Sequence, residues 1–206
     1  NTGFKYIKKI TPGTYLKIDL NTLNIKIKSY FNKLNYRPNN NENFKNVIIN
    51  NINSQLISDV PLGLFFSGGI DSTLIAAYSK QKIHSISVSY SKKELNEAGI
   101  VDDYPFQEKI SKKLKLDTIH EFFDNKNNNK NEILNSFKKV ALGIEELNCD
   151  LTYLPSLKIS SIARNNNFKV MLSGMGGDEM FGGYPRYLLC RYYYFFLFIY
   201  YIIKPF

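Results

Sequence analysis

Two short stretches carry the residue types that could do chemistry: Ser67-Gly68-Gly69-Ile70-Asp71-Ser72 and Ser173-Gly174-Met175-Gly176-Gly177-Asp178-Glu179. Each follows an apolar run, Leu62 to Phe66 in the first case and Lys169 to Leu172 in the second. A strand that enters a glycine-containing turn and then a helix leaves backbone N–H groups pointing outward at the helix start. Those dipoles favour an anion, and glycine lets a phosphate come close to the main chain. The first turn is not a Walker A loop, since no Gly-Lys-Ser/Thr closes it, and it is not G-x-G-x-x-G. The acids suit the same ligand. Mg²⁺ is held by one or two carboxylates together with phosphate oxygens and water, which makes Asp71 and Asp178 the candidate metal ligands. The plain alternatives are a serine- and glycine-rich βα turn without a ligand and, for Asp178-Glu179, a helix N-cap with an acid in the first turn.

The elements that must position these turns follow from periodicity. Phe4 to Ile10, Thr14 to Leu20 and Ile25 to Phe31 alternate apolar and polar residues and are punctuated by Pro12-Gly13 and Asn21-Thr22, which predicts antiparallel strands. Leu34 to Asn43, with Pro38 and three consecutive asparagines, has linker composition. Phe44, Val47, Ile48, Ile52 and Leu56 follow helical spacing over 44–58, and Asp59-Val60-Pro61 stops that helix before the central strand. Strand and helix patterns then alternate. Strands are expected at Ile83 to Tyr90, Thr118 to Phe123 and Lys169 to Leu172. Helices are expected from near Thr73, at Tyr104 to Leu114, at Glu132 to Leu142 after an Asn125 to Asn131 loop, and at Leu154 to Asn165. This rhythm predicts an α/β fold with a doubly wound parallel sheet and ligands at the carboxyl ends of its strands, where both turns fall. Tyr192 to Ile203 is almost wholly aromatic and aliphatic but shorter than a membrane span of about 20 residues. A helix buried against further C-terminal structure is expected there.

The 206 residues suffice for one full domain, or one domain and a piece of another, and 44% hydrophobic content supports a real core. The net charge of +9 comes from lysines scattered among asparagines, without a basic stripe and interleaved aromatics, so no nucleic-acid partner is expected. Cys149 and Cys190 are the only cysteines and His84 and His120 the only histidines; no C-x-x-C occurs, which argues against a structural metal site. Two cysteines without a secretory pattern predict a reducing, cytoplasmic setting. The start at Asn1 without a methionine gives the look of an excised piece.

Ser-Gly-Gly-x-Asp-Ser resembles the PP-loop of the ATP pyrophosphatases, which hold the β,γ-pyrophosphate of ATP and cleave at the α-phosphate. Combined with S-G-x-G-G-D-E-x-F-G-G-Y over Ser173 to Tyr184, it resembles the synthetase domain of asparagine synthetases and their relatives. Thr11-Pro12-Gly13-Thr14-Tyr15-Leu16 and Tyr30-Phe31 resemble the end of that family's glutaminase domain. His84 to Val88 resembles the strand that borders the adenine, and Leu154-Pro155 onward the helix before the second motif. The resemblance implies residues 1–38 as the end of a glutaminase domain of the N-terminal-nucleophile type with its linker, and 39–206 as an ATP-binding domain incomplete at its C-terminus.

The resemblance further implies an ATP-dependent, AMP-forming amide ligase that adenylates a carboxylate and then uses ammonia. Ser67, Gly68, Gly69, Asp71 and Ser72 would hold pyrophosphate and Mg²⁺, Phe65 and Val88 would flank the adenine, and Ser173 and Gly174 would contact nucleotide and substrate. Asp71 and Asp178 would be the metal ligands. The implied partners are a small-molecule carboxylate and ammonia from a glutaminase domain, with no nucleic acid and no membrane span; a homo-oligomer stays open. Four departures stand out. The cysteine nucleophile and most of the glutaminase domain are missing from this stretch, as is the C-terminal region that supplies a catalytic lysine, so the 206 residues alone are expected to be inactive. Met175 stands where many asparagine synthetases carry Glu or Asp, and residues 91–103 match the substrate-side loop poorly. A relative that amidates a uronic-acid sugar, another PP-loop enzyme acting on tRNA, and a non-catalytic ATP-binding remnant are the rival readings.

Overall fold

The computed structural model of the protein describes residues 2–31, 43–91, 95–96, 102–123, 130–144 and 152–204. The expected linker core around Pro38, most of the 125–131 loop, Cys149 and most of the 91–103 region lie outside the described residues. The chain divides into two compact units, one of Asn1–Val47 and Asn128–Lys158, the other of Ile48–Asn127 and Ile159–Phe206.

In the first unit, β1 (Thr14–Ile18) and β2 (Ile25–Ser29) form a two-stranded antiparallel sheet, with Thr14 opposite Ser29 and Ile18 opposite Ile25. Asp19 closes the hairpin. Its carboxylate accepts the backbone N–H groups of Asn21 and Thr22, both at 2.9 Å, and these bonds hold it below the usual carboxylate pKa. The strand expected over Phe4 to Ile10 is not formed. Ile7 N–H turns back to the Phe4 carbonyl at 3.4 Å, and no described strand pairs with this segment. Without a ladder partner, apolar alternation alone does not make a strand. This unit also contains α4 (Lys130–Gly143).

The second unit holds a four-stranded parallel sheet of β3 (Leu62–Phe65), β4 (His84–Tyr90), β5 (Asp117–Phe123) and β6 (Val170–Leu172), in the order β5-β4-β3-β6. Its helices include α2 (Ile70–Tyr78) and α3 (Tyr104–Leu114). A further helix, α1 (Phe44–Ser54), precedes β3, and α5 (Tyr153–Asn165) precedes β6. The chain builds outward from β3 through β4 to β5 and then returns to the other side of β3 for β6. Strand order therefore reverses between β3 and β6, the position where open α/β sheets bind ligands. Leu64, Phe66 and Ile83 are buried together, with Leu56, Ile75, Ala76, Ile110, Leu116 and Leu172 packed on them. β3 is a short apolar run because a central parallel strand is covered on both faces.

β4 departs from that pattern. Ser85, Ser87 and Ser89 alternate along it and are all buried. They are satisfied by a polar seam: Ser85 Oγ bonds Thr118 Oγ1 at 2.6 Å, which bonds Ser111 Oγ of α3 at 2.7 Å, and Ser87 and Ser89 meet the side chain of Gln107. Each of these three β4 hydroxyls thus has a partner, as burial requires.

After β6 come α6 (Gly177–Phe181), α7 (Arg186–Arg191) and α8 (Tyr193–Ile203). The last is helical as expected; within this chain only Leu197 and Ile199 are half-covered and its other residues are exposed, and the burial expected against further C-terminal structure lies outside these residues. No described helix is long and apolar enough to cross a membrane.

His120 on β5 packs edge-on against Tyr104 with ring centroids 5.3 Å apart. Burial pushes its pKa below the ordinary 6.5, with Glu108 pulling weakly the other way. The unfolded chain takes that proton near pH 6.5, the folded chain only at lower pH. Between those values the unfolded state holds more protons, so this contribution is present above pH 6.5 and is lost as pH falls. Urea unfolding midpoints measured from pH 7.5 to 5 should therefore fall less steeply in His120→Gln than in the wild type. Identical slopes would show that His120 is not held neutral.

Candidate functional site

The two glycine-rich turns leave the sheet at the same edge. Leu64 pairs with Leu172, so β3 and β6 end side by side, and Ser67 and Ser173 begin the two turns. The first turn is built by its own serines. Ser72 is 3% exposed, and its Oγ lies 3.1 Å from Ser67 Oγ, accepts Ser67 N–H at 3.3 Å and reaches the Gly69 carbonyl at 3.2 Å. Ser67 Oγ also accepts Gly69 N–H at 3.2 Å. Gly68 has φ +76°, a left-handed conformation that favours glycine. Gly69 is the N-cap of α2 and offers no side-chain cap, so the start of α2 is open to an outside anion.

The second turn lies against the first. A Cβ on Gly174 would fall 2.8 Å from Asp71 Cβ and 2.9 Å from Ser72 N, and one on Gly177 would run into the Asp71 carboxylate. Gly174 therefore needs glycine, since backbone lies behind its clash, whereas at Gly177 the Asp71 carboxylate would have to turn aside. One cavity of about 460 Å³ results, lined by Phe65, Ser67, Gly69, Asp71, Ser72 and Val88 from one side and by Ser173, Gly174, Met175, Gly176, Asp178 and Glu179 from the other. Of the residues singled out from the sequence, Gly68 alone does not line it; its Cα is turned toward Gln107. The Ser72 hydroxyl is spent inside the turn. Asp178 lies in the first turn of α6, with its carboxylate against Gly183.

Residues 43–194 match the family described as Asparagine synthase. The chain belongs to the asparagine synthase family. It is 29% identical over 191 residues to the glutamine-hydrolyzing asparagine synthetase 1 of Bacillus subtilis, a match that covers 88% of this chain and 28% of that protein. It is 30% identical over 202 residues to the glutamine-hydrolyzing asparagine synthetase 2 of the same organism, covering 90% and 26%. The Zea mays asparagine synthetase is 28% identical over 148 residues, covering 63% and 22%. The chain thus spans less than a third of the length of these relatives.

Within this family domain the cavity lining also includes Asp103 and Gln107, which lie outside both motifs, and Glu179 and Tyr184, which lie inside the second motif but were given no role from the sequence. Glu179 stood beside the chosen Asp178, and the structure shows it in use. The Tyr184 hydroxyl donates to its Oε1 at 2.8 Å, which lowers the Glu179 pKa and raises that of Tyr184. Arg186 lies over the Tyr184 ring, 4.1 Å from its centroid, and fixes the outer end of the second motif. Among the described residues, no group of three or more His, Cys, Asp or Glu side chains could hold a metal unaided. Cys190 is a free, exposed thiol away from this lining.

The close approach of the turns is directly testable. Gly174→Ala forces a methyl against Asp71 and Ser72 N and should destabilise the protein by about 1–3 kcal/mol in urea unfolding. Gly143→Ala, with open space at that position, should be neutral or slightly stabilising. Equal effects would mean that the turns do not touch.

Proposed function

We infer that this chain forms the ATP-binding part of an AMP-forming amide ligase of the asparagine synthetase type. The observation that carries the reading is the meeting of two glycine-rich turns, from neighbouring parallel strand ends, on one cavity that contains the open start of α2, Asp71 and Asp178. Backbone N–H groups of the Ser67–Ser72 turn and the α2 dipole attract the pyrophosphate of ATP. Phe65 and Val88 flank the adenine, and Ser173 and Gly174 face the α-phosphate and the acceptor.

The donor set fits Mg²⁺. Asp71 and Asp178 would supply two hard carboxylates to the ion, with phosphate oxygens and water as its other ligands. When bound, Mg²⁺ neutralises charge that develops on the departing pyrophosphate. The chain's own part is positioning. The turn holds the leaving group, and the second motif bounds the space from which a carboxylate oxygen attacks the α-phosphorus as its bond to the bridging oxygen breaks. Ammonia then displaces AMP from the acyl carbon, giving the amide. In the whole protein that ammonia comes from glutamine. The separate β1–β2 sheet supports reading residues 1–38 as the end of a glutaminase domain, with residues 39–206 as the ATP-binding domain.

One observation favours an acceptor other than aspartate. Met175 lines the cavity and is 91% exposed there, and a thioether carries neither charge nor general base. A sugar carboxylate such as a uronic acid is the second reading, and AMP release by the whole protein with each acceptor separates the two.

Calorimetry with ATP and Mg²⁺ tests the site itself. Asp71→Asn and Asp178→Asn should each weaken ATP binding by about 1.5–3 kcal/mol while leaving the unfolding midpoint near the wild-type value. Unchanged affinity in both variants would remove the metal assignment.

A further inference from the structure

We propose that Gln107 is a positioning residue of the nucleotide site, whose buried amide fixes the end of β4 relative to the end of β3 and so sets the wall that flanks the adenine. The proposal rests on the ATP reading above.

Gln107 lies in the first turn of α3, lines the cavity and is 4% exposed. A buried amide has to place two donors and an acceptor, and this one spends its acceptor and a donor on β4. Oε1 lies 2.7 Å from Ser87 Oγ and 3.1 Å from Ser89 Oγ, and Nε2 donates to the Val88 carbonyl at 3.4 Å. The single proton of the Ser87 hydroxyl is shared between Oε1 and the Phe66 carbonyl, 2.6 Å away. One side chain thus touches three consecutive residues of β4 and, through Ser87, the residue that follows β3.

The main chain leaves this job open. The β3–β4 ladder ends at Phe65 opposite Ile86, followed by one bond from Phe66 N–H to the Ile86 carbonyl at 2.8 Å. β4 runs on to Tyr90, paired there with β5. Alternate residues of a strand direct their backbone groups to opposite neighbours, so the Val88 carbonyl points like that of Ile86, past the end of β3. Gln107 supplies the donor that β3 does not reach.

The stem of Gln107 has a separate contact. A Cβ on Gly68 would lie 3.1 Å from its Cγ and 3.2 Å from its Cα and N, so the stem backs the phosphate turn. Amide and stem can therefore be separated by mutation. Gln107→Met keeps an unbranched stem and removes the amide. It should lower ATP affinity about tenfold, the scale of one lost hydrogen bond, while pyrophosphate affinity stays unchanged. Loss of the amide's bonds to the Ser89 hydroxyl and the Val88 carbonyl will also lower the unfolding midpoint. The triple variant Ser87→Ala, Ser89→Ala, Gln107→Met removes the serine hydroxyls as well and should recover part of that stability, while the Phe66 and Val88 carbonyls stay without these donors. It should not recover ATP affinity.

Calorimetry with ATP and with pyrophosphate in Mg²⁺, beside urea unfolding, reads all of this on the 206-residue chain. Wild-type ATP affinity in Gln107→Met, equal loss for ATP and pyrophosphate, or recovery of ATP affinity in the triple variant would each overturn the positioning role while leaving the ATP reading intact. A wild-type chain that binds neither ligand would overturn both.

Discussion

The close approach of the Gly174–Gly177 turn to Asp71 and Ser72 is the constraint on which the site depends. It requires β3 and β6 to be parallel neighbours that end at the same level, and it requires glycine where any Cβ would collide. Once those conditions hold, a helix start, two short turns and two acids come to one cavity with no long-range side-chain network. The strand-order reversal between β3 and β6 opens the crevice, and the turns decorate it.

Support for the turns comes from a less usual source. The outer half of the sheet is held by a polar seam as well as by apolar packing, with Ser85, Ser87, Ser89, Ser111, Thr118 and Gln107 joined beneath α3. Hydrogen bonds are directional where apolar contacts are not, so such a seam specifies the register of α3 on β4 more tightly than leucines would. That precision lies directly behind the wall that would receive the nucleotide.

Much of this was legible in the sequence. Val60 to Tyr78 reads as strand, turn and helix because an apolar run, a glycine turn and a helical pattern follow one another without interruption, and Tyr104–Leu114 has the bounds its periodicity predicts. The pairing of the two motifs was legible because both fall at strand ends of one alternating α/β series. Two features were not. Phe4 to Ile10 has strand alternation but pairs with no described strand, and pairing is a tertiary fact. Gln107 and the β4 serines look polar and unremarked in sequence, since their burial depends on α3 covering them.

The central claim is that both turns serve one ligand. Amide NMR of the 206-residue chain, titrated with ATP in Mg²⁺, tests it most directly. The account predicts that the amides of Gly68, Gly69, Asp71 and Ser72 and those of Gly174, Gly176 and Gly177 shift together along one saturation curve. Shifts confined to one turn, or two turns that titrate with different midpoints, would contradict it.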